Sequence, residues 1–375
     1  CMVSVIQVPY QASIIANEKM DIYAIISVVD VVLKLLILYI VDIFTYDSLI
    51  LYALFLFIVV CLIFAFYVFY CSSYLPGCDF HFSYNTSKAK SMLSFSGWDL
   101  YGNSSALAAS QGINFLLNIF FGVAVNAAIG IANQFNSGIN VFSNNFLLAV
   151  RPQIVKRYAN GEYTSLMGLI YNSAKYSYFL LLLIAVPFFF EVDFILGIWL
   201  GKVPEHLNIF CRIFIIKSLF AVCCSSVLTM LVHAIGRMKK FSFYRGTIIL
   251  LTLPISYVAL KFYNIPYIPI VINAIMDILA SFYTILLVRQ LFNEFSIVLY
   301  IKKVILPCII MTLISLASSY IINLIFFQSL LRLVLVFMFN LSAIVFVLYF
   351  FIIDINTKAL VNAKIGDLLR SYKSS

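Results

Sequence analysis

Long apolar runs separated by short polar segments make up this chain from end to end. A helix needs about 20 apolar residues to cross the hydrocarbon core of a bilayer. By that measure the sequence predicts eleven spans: 1–15 (partial), 22–44, 49–71, 95–121, 123–149, 166–190, 207–233, 243–262, 266–289, 303–325 and 330–352. Pro9, Pro187, Pro254 and Pro307 interrupt spans. Membrane helices tolerate such breaks where a neighbour satisfies the freed backbone carbonyl. The expected fold is an all-α integral membrane protein.

The loop charges test the span count. If successive loops alternate between two sides, one side collects Lys19, then Lys88 and Lys90, then Arg151, Lys156 and Arg157. It also collects Arg237, Lys239, Lys240 and Arg245, then Arg289, Lys302 and Lys303, and the tail adds Lys358, Lys364, Arg370 and Lys373. The other side holds only Lys202, Lys261 and Arg332, beside Asp42, Asp47, Glu191, Asp193 and Glu205. This is the positive-inside pattern, and it predicts a cytoplasmic C-terminus. The longest polar stretch, 72–94, contains Pro76-Gly77 and divides the chain into two bundles. The expected organisation is an incomplete first lobe at 1–71, an inter-lobe cytoplasmic loop at 72–94 and a second lobe at 95–289. Two additional spans at 290–353 and a cytoplasmic tail at 354–375 complete it. Ala16-Asn17-Glu18-Lys19-Met20 matches Ala234-Ile235-Gly236-Arg237-Met238 at the Ala, the basic residue and the Met. The two copies lie six predicted spans apart, which suits parallel repeats.

Composition strengthens the membrane reading. Of 375 residues, 64% are hydrophobic and 10% charged, against about 25% charged in soluble domains. A net charge of +9 would raise nucleic acid as a partner in a soluble protein. Here the bases sit in short loops and account for topology, so no nucleic-acid partner is expected. Cys61, Cys211, Cys223, Cys224 and Cys308 lie in or beside apolar runs, where Cys acts as a small hydrophobe. His81, His206 and His233 are scattered, so neither a metal nor a cofactor is expected. No Gly-rich phosphate loop and no nucleophile–base set occurs, which argues against an enzyme. The Asn85-Thr86-Ser87 sequon carries no weight. The chain opens on Cys1-Met2, already apolar, which reads as a product lacking its first spans.

Polar residues inside spans are costly and so point to function. In the fourth span Gln111, Asn114 and Asn118 share one helical face, and in the fifth Asn126, Asn133, Ser137, Asn140 and Asn144 form a stripe. Interhelical hydrogen bonding explains such stripes; so does the wall of a water-filled cavity, which the length of the stripes favours. Asp30 and Lys34 in span two can pair at i, i+4. Lys175 lies between Tyr171 and Tyr178 on one face of span six. Arg212 and Lys217 in span seven stand about 140° apart around the helix, so both cannot face one cavity. Asn273, Asp277, Ser281 and Thr284 share a face of span nine, where Asp277 has no basic partner in its own helix. The spans thus hold more cations (Lys34, Lys175, Arg212, Lys217) than anions (Asp30, Asp277), a balance that suits an anionic substrate.

A family resemblance rests on several of these segments. Ser94-Phe95-Ser96-Gly97-Trp98-Asp99-Leu100-Tyr101-Gly102, Gln111-Gly112-Ile113-Asn114 and Asn126-Ala127-Ala128-Ile129-Gly130-Ile131-Ala132 resemble the seventh and eighth helices of Wzx-like polysaccharide flippases. These belong to the multidrug/oligosaccharidyl-lipid/polysaccharide exporter superfamily. Arg151-Pro152-Gln153-Ile154 and Ala159-Asn160-Gly161-Glu162 resemble the loop that follows, and Pro9-Tyr10 with Ala16–Met20 resembles the end of the fourth helix. The resemblance implies a MATE-like fold of two lobes, here lacking its first three helices. It also implies transfer of undecaprenyl-pyrophosphate-linked oligosaccharide across the bacterial inner membrane for surface polysaccharide such as O-antigen. The implied partners are that lipid-linked oligosaccharide, membrane lipids and a polysaccharide polymerase machinery. Lys175, Arg212, Lys34 and Lys217 are the expected pyrophosphate ligands, with Gln111, Asn114, Asn118, Asn133 and Asn140 as cavity wall. Asp30 and Asp277 are expected to couple protons or sodium. The alternative is a multidrug or cation antiporter of the same superfamily. Reporter fusions test the topology: fusions at Asn85 and at Ser375 are both expected to read cytoplasmic, and opposite readings would break the span count.

Overall fold

A computed structural model describes residues 2–43, 48–75 and 85–348. The tail 354–375, His81 and Pro76-Gly77 lie outside the described residues. Within them the chain is helical, with no strand: α1 (Met2–Ala16), α2 (Met20–Ile43), α3 (Ser48–Tyr74), α4 (Thr86–Phe121), α5 (Val123–Ala159), α6 (Tyr163–Phe190) and α7 (Val192–Leu200). Then come α8 (Leu207–Ile235), α9 (Met238–Phe262), α10 (Ile268–Leu291), α11 (Ile297–Ile325) and α12 (Leu330–Val347). Eight of these, α2, α3, α6 and α8–α12, are long and apolar enough to cross a membrane. Only 11% of the most apolar part of α3 is buried, and Phe57, Leu62 and Phe69 stand exposed along it. Water would not tolerate such a surface, whereas lipid does. The protein is an all-α, multi-pass membrane protein. The other three predicted spans fall on α1, which has 15 residues, and on α4 and α5, which have 36 and 37 residues but carry the amide stripes.

Two compact units form. The first comprises α1–α3 with residues 148–156. Ile14, Ile26, Ile37, Val59, Ile63 and Tyr67 build its core, and the Cys71 thiol donates to the Tyr10 carbonyl of α1. The second unit contains α4 from Ser91, α5 to Leu147, and α6–α12. Both helices next to the polar loops overrun their apolar segments. Asn85 starts α4 by accepting from the backbone N–H groups of Ser87 and Lys88, each at 3.1 Å, the usual satisfaction of a helix start. Loop bases likewise become helical after Gly236. With φ +79, Gly236 ends α8, and α9 begins at Met238. Lys239, Lys240 and Arg245 therefore belong to a helix, and Arg245 sits two turns inside it.

The short sequence repeat has a structural meaning. Glu18 and Gly236 occupy the same place in the two copies, and both adopt positive φ, +59 and +79. In each copy a helix ends, one residue turns left-handed, and the next helix starts at the matching Met.

Proline defects in α6, α9 and α11 are handled separately. Pro254 interrupts α9 at Leu251, and Pro307 follows a wide π turn at Ile301–Ile305. In α6, Pro187 has no N–H to give the carbonyl of Leu183. Asn340 of α12 supplies it, donating to the carbonyls of Leu183 and Leu182 at 3.2 Å each. One helical end further on, Glu191 is fully buried and meets Arg332 of α12, with contacts of 2.6 and 2.7 Å. Arg332 also donates to the Phe326 carbonyl at 3.1 Å. α12 is thus fastened to α6 by polar contacts in an apolar setting. Asn340→Leu is expected to lower unfolding stability in detergent by about 1 kcal/mol, the scale of interhelical hydrogen bonds in membrane proteins. In a Pro187→Ala background, which restores a backbone donor, the same change should cost less than half as much. An equal cost in both backgrounds would separate Asn340 from the proline.

Candidate functional site

The polar side chains of the second unit converge on a cavity of about 140 Å³. Asn114 comes from α4, Asn133 from α5, Lys217 from α8, Arg245 from α9, and Asn273 and Asp277 from α10. The i, i+4 spacing of Asn273 and Asp277 places both on one face of α10. Lys217 bridges them: its Nζ donates to Asn273 Oδ1 at 2.5 Å and pairs with Asp277 Oδ2 at 2.5 Å. Asp277 therefore finds on α8 the basic partner that its own helix lacks. Arg245 stacks over Phe241, 5.6 Å from the ring centroid. Its Nε and the Asn114 Oδ1 are buried without a hydrogen-bond partner among the described residues. A buried donor and a buried acceptor left unmatched are costly, and both belong to residues that line a space large enough for a few waters or one small polar group. The wall carries two permanent cations against one carboxylate.

The close approach of α4 to α9 brings Arg245 to this cavity. A Cβ on Gly112 would sit 2.4 Å from a Leu253 side-chain atom, and one on Gly246 would sit 2.9 Å from Ser105 Oγ. Small residues at such contacts let membrane helices pack closely. Tyr101 of α4 and Thr247 of α9 hydrogen-bond at 3.1 Å along the same seam.

The remaining site residues expected from sequence scatter. Arg212 pairs with Asp193 of α7 at 2.9 Å and lies over Phe189, away from Lys217. Lys34 and Asp30 pair with each other at 2.6 Å within the first unit. Lys175 is half-buried on α6 and is not part of this cavity; of its flanking tyrosines, Tyr178 bonds Thr312 of α11 at 2.6 Å. Gln111 and Asn118 are exposed, Gln111 accepting from Asn114 at 3.4 Å. Asn140 serves helix packing: its Nδ2 donates to Ser218 Oγ of α8 at 3.0 Å and to Asn136 Oδ1 at 3.1 Å. The α5 stripe thus splits, with Asn133 at the cavity and Asn140 joining two helices. On α10, Ser281 reaches Ser225 of α8 at 3.2 Å while Asn273 and Asp277 face the cavity.

Sequence reasoning missed Arg245 by counting it with the loop bases. One signal was available: Arg245 lies inside the predicted span 243–262, directly after the aromatic stretch Phe241-Ser242-Phe243-Tyr244. It also missed Asn136, whose partner Ser218 gives no signal in a one-dimensional pattern.

A second polar cavity, about 100 Å³, is lined by Asp99, Asn103, Thr229 and His233. Arg245 and Ile249, one turn apart on α9, line both cavities. A third space, about 390 Å³, is apolar and runs between α6, α8 and α11, with Cys223, Cys224 and Cys308 in its wall. Among the described residues, no three His, Cys, Asp or Glu side chains gather as metal ligands.

These features define the class: a multi-pass helical membrane protein with a small, cation-rich polar cavity buried in one of its two units. Compared with known protein families, curated proteins and solved structures, the chain matches none of them.

Thiol labelling separates cavity wall from helix contact. In a background without the native Cys, Asn114→Cys and Asn133→Cys are expected to react with a water-soluble thiol reagent, and Asn140→Cys is not. Reaction at position 140 alone would invert the assignment.

Proposed function

We propose that this protein is a transporter of the flippase type. It moves lipid-linked oligosaccharide, carried on undecaprenyl pyrophosphate, across the bacterial inner membrane for synthesis of surface polysaccharide such as the O-antigen of lipopolysaccharide. The observation that carries the proposal is the cavity in which Lys217 and Arg245 face a single carboxylate, Asp277. A phosphoryl group entering a low-dielectric space loses hydration, and charge-assisted hydrogen bonds from Lys and Arg offset that loss. Arg is suited to phosphate because its planar fork binds two oxygens at once. At about 140 Å³ the space fits a phosphoryl group, whereas drug-sized ligands occupy roughly 300–1,000 Å³. The glycan would lie outside it. A cation exporter would need a carboxylate available to its substrate, and Asp277 is held by Lys217.

The same proposal includes eleven spans in a two-lobe, MATE-like arrangement, a cytoplasmic C-terminus, and partnership with a polysaccharide polymerase machinery. It makes the protein a carrier rather than an enzyme. The loop-charge asymmetry and the family resemblance support these points. In this proposal Lys217 and Arg245, rather than Lys175, are the phosphate contacts, with Asp277 as the coupling carboxylate; their shared place on the cavity wall supports that choice.

Losing one charge-assisted contact costs about 1.5–3 kcal/mol, or about one to two orders of magnitude in binding. Arg245→Ala in the otherwise unaltered protein is expected to reduce surface polysaccharide sharply while membrane insertion stays normal. Arg245→Lys should retain part of the activity. Wild-type polysaccharide from Arg245→Ala and from Lys217→Ala, each at normal abundance, would remove this cavity from transport; the same result from Lys175→Ala would remove only Lys175.

A further inference from the structure

The second polar cavity has its own ionisable pair. His233 Nε2 lies 3.5 Å from Asp99 Oδ1, joining α8 to α4. His233 stands in the last turn of α8, and its carbonyl accepts from the Gly236 N–H at 3.2 Å. A helix C-terminus favours a positive charge there. Phe95 meets the imidazole edge-on, with centroids 6.1 Å apart. The ionisable groups lining this cavity are Asp99, His233 and, from α9, Arg245. Those lining the other are Arg245, Lys217 and Asp277. Arg245 is the one ionisable group in both walls.

We infer that Asp99 and His233 form a proton-binding site that governs the charge of the Lys217–Asp277 cavity through Arg245. With His233 neutral, Lys217 and Arg245 balance Asp277 and Asp99 across the two spaces. A proton delivered as hydronium gives the His233 imidazole a positive charge and turns its existing contact with Asp99 into an ion pair. Asp99 is then neutralised by His233, so the charge of Arg245, which lines both spaces, is left to the other cavity, which gains the surplus positive charge needed to hold an anion. One N–H bond forms on the imidazole and one O–H bond of hydronium breaks, leaving water; Arg245 keeps its proton. Histidine is the side chain whose ordinary titration falls between pH 5 and 8, which suits it to such a device. Binding of a proton and of an anion would then favour each other, as linkage requires.

The inference rests on the proposed anionic substrate for its purpose, but the coupling between the two cavities can be measured without any substrate. The probe is the protonated fraction of His233 at a fixed pH near 6.5. It is read by nitrogen-15 NMR of histidine-labelled protein in nanodiscs, the signal being assigned by its loss in His233→Gln. Asp277→Asn frees Arg245 to compete for Asp99 and is expected to reduce the protonated fraction at least twofold. In an Arg245→Gln background the protonated fraction should be higher than in wild type, and Asp277→Asn should then leave it unchanged. Asp99→Asn should reduce it whichever residue stands at 245. Equal effects of Asp277→Asn with and without Arg245, or no effect in either, would overturn the coupling. Inorganic pyrophosphate added to the wild type is expected to raise the protonated fraction. A double-variant cycle that holds while pyrophosphate has no effect keeps the proton site and removes the anionic substrate.

Discussion

A bilayer core offers no water, so every polar group placed there must find its partner within the protein. The second unit meets this constraint at several points where its helices depart from apolar regularity. The carbonyl freed by Pro187 is met by Asn340. Glu191 is met by Arg332. The carbonyl of Cys223, in the wide turn Val222–Ser226, is met by the fully buried Tyr300 hydroxyl at 2.8 Å. A buried ion pair stripped of one member typically costs about 3–5 kcal/mol, so these contacts specify which helices adjoin as well as holding them. Several buried polar atoms have no hydrogen-bond partner among the described residues, Ser143 Oγ, Thr252 Oγ1 and Ser256 Oγ among them, and two belong to residues of one cavity. Arg245 Nε and Asn114 Oδ1 both lie at the cation-rich cavity.

That contrast separates two uses of the same residue types. Asn136, Asn140 and Ser218 close on one another and consume their hydrogen-bonding capacity. Asn114 and Asn133 reach a space instead. Lys217 is intermediate, because it is tied to Asn273 and Asp277 yet remains on the cavity wall. A cation already shared between two acceptors can exchange one of them for a phosphate oxygen without ever being left bare, which keeps the empty and loaded states close in energy.

The sequence made the membrane-crossing helices legible because their signal is local: a run of apolar residues has the same meaning whatever packs beside it. Helix ends were less legible, since Lys, Arg and Asn end an apolar run without ending the helix. The span expected at 123–149 continues as helix to Ala159 for that reason. The site was legible by residue type but not by position. Asp277 and Lys217 were both picked out, one for lacking a partner and the other for its depth, yet only the folded chain shows that they partner each other. Arg245 escaped because loop charges and cavity charges look alike along a sequence, and what separates them is a single left-handed residue, Gly236.

The dependence of α6 on α12 has a consequence for how the protein is made. The carbonyl of Leu183 and its donor on Asn340 are separated by 157 positions, and Glu191 and Arg332 by 141. A ribosome delivers the chain in order, so α6 enters the bilayer long before either donor exists. During that interval the kinked helix carries an open carbonyl and a carboxylate without its guanidinium. Both are the kind of polar feature that insertion machinery and quality-control proteases detect. α12 is thus the helix that completes an earlier one, and a chain interrupted after α11 would leave both polar features of α6 without these partners.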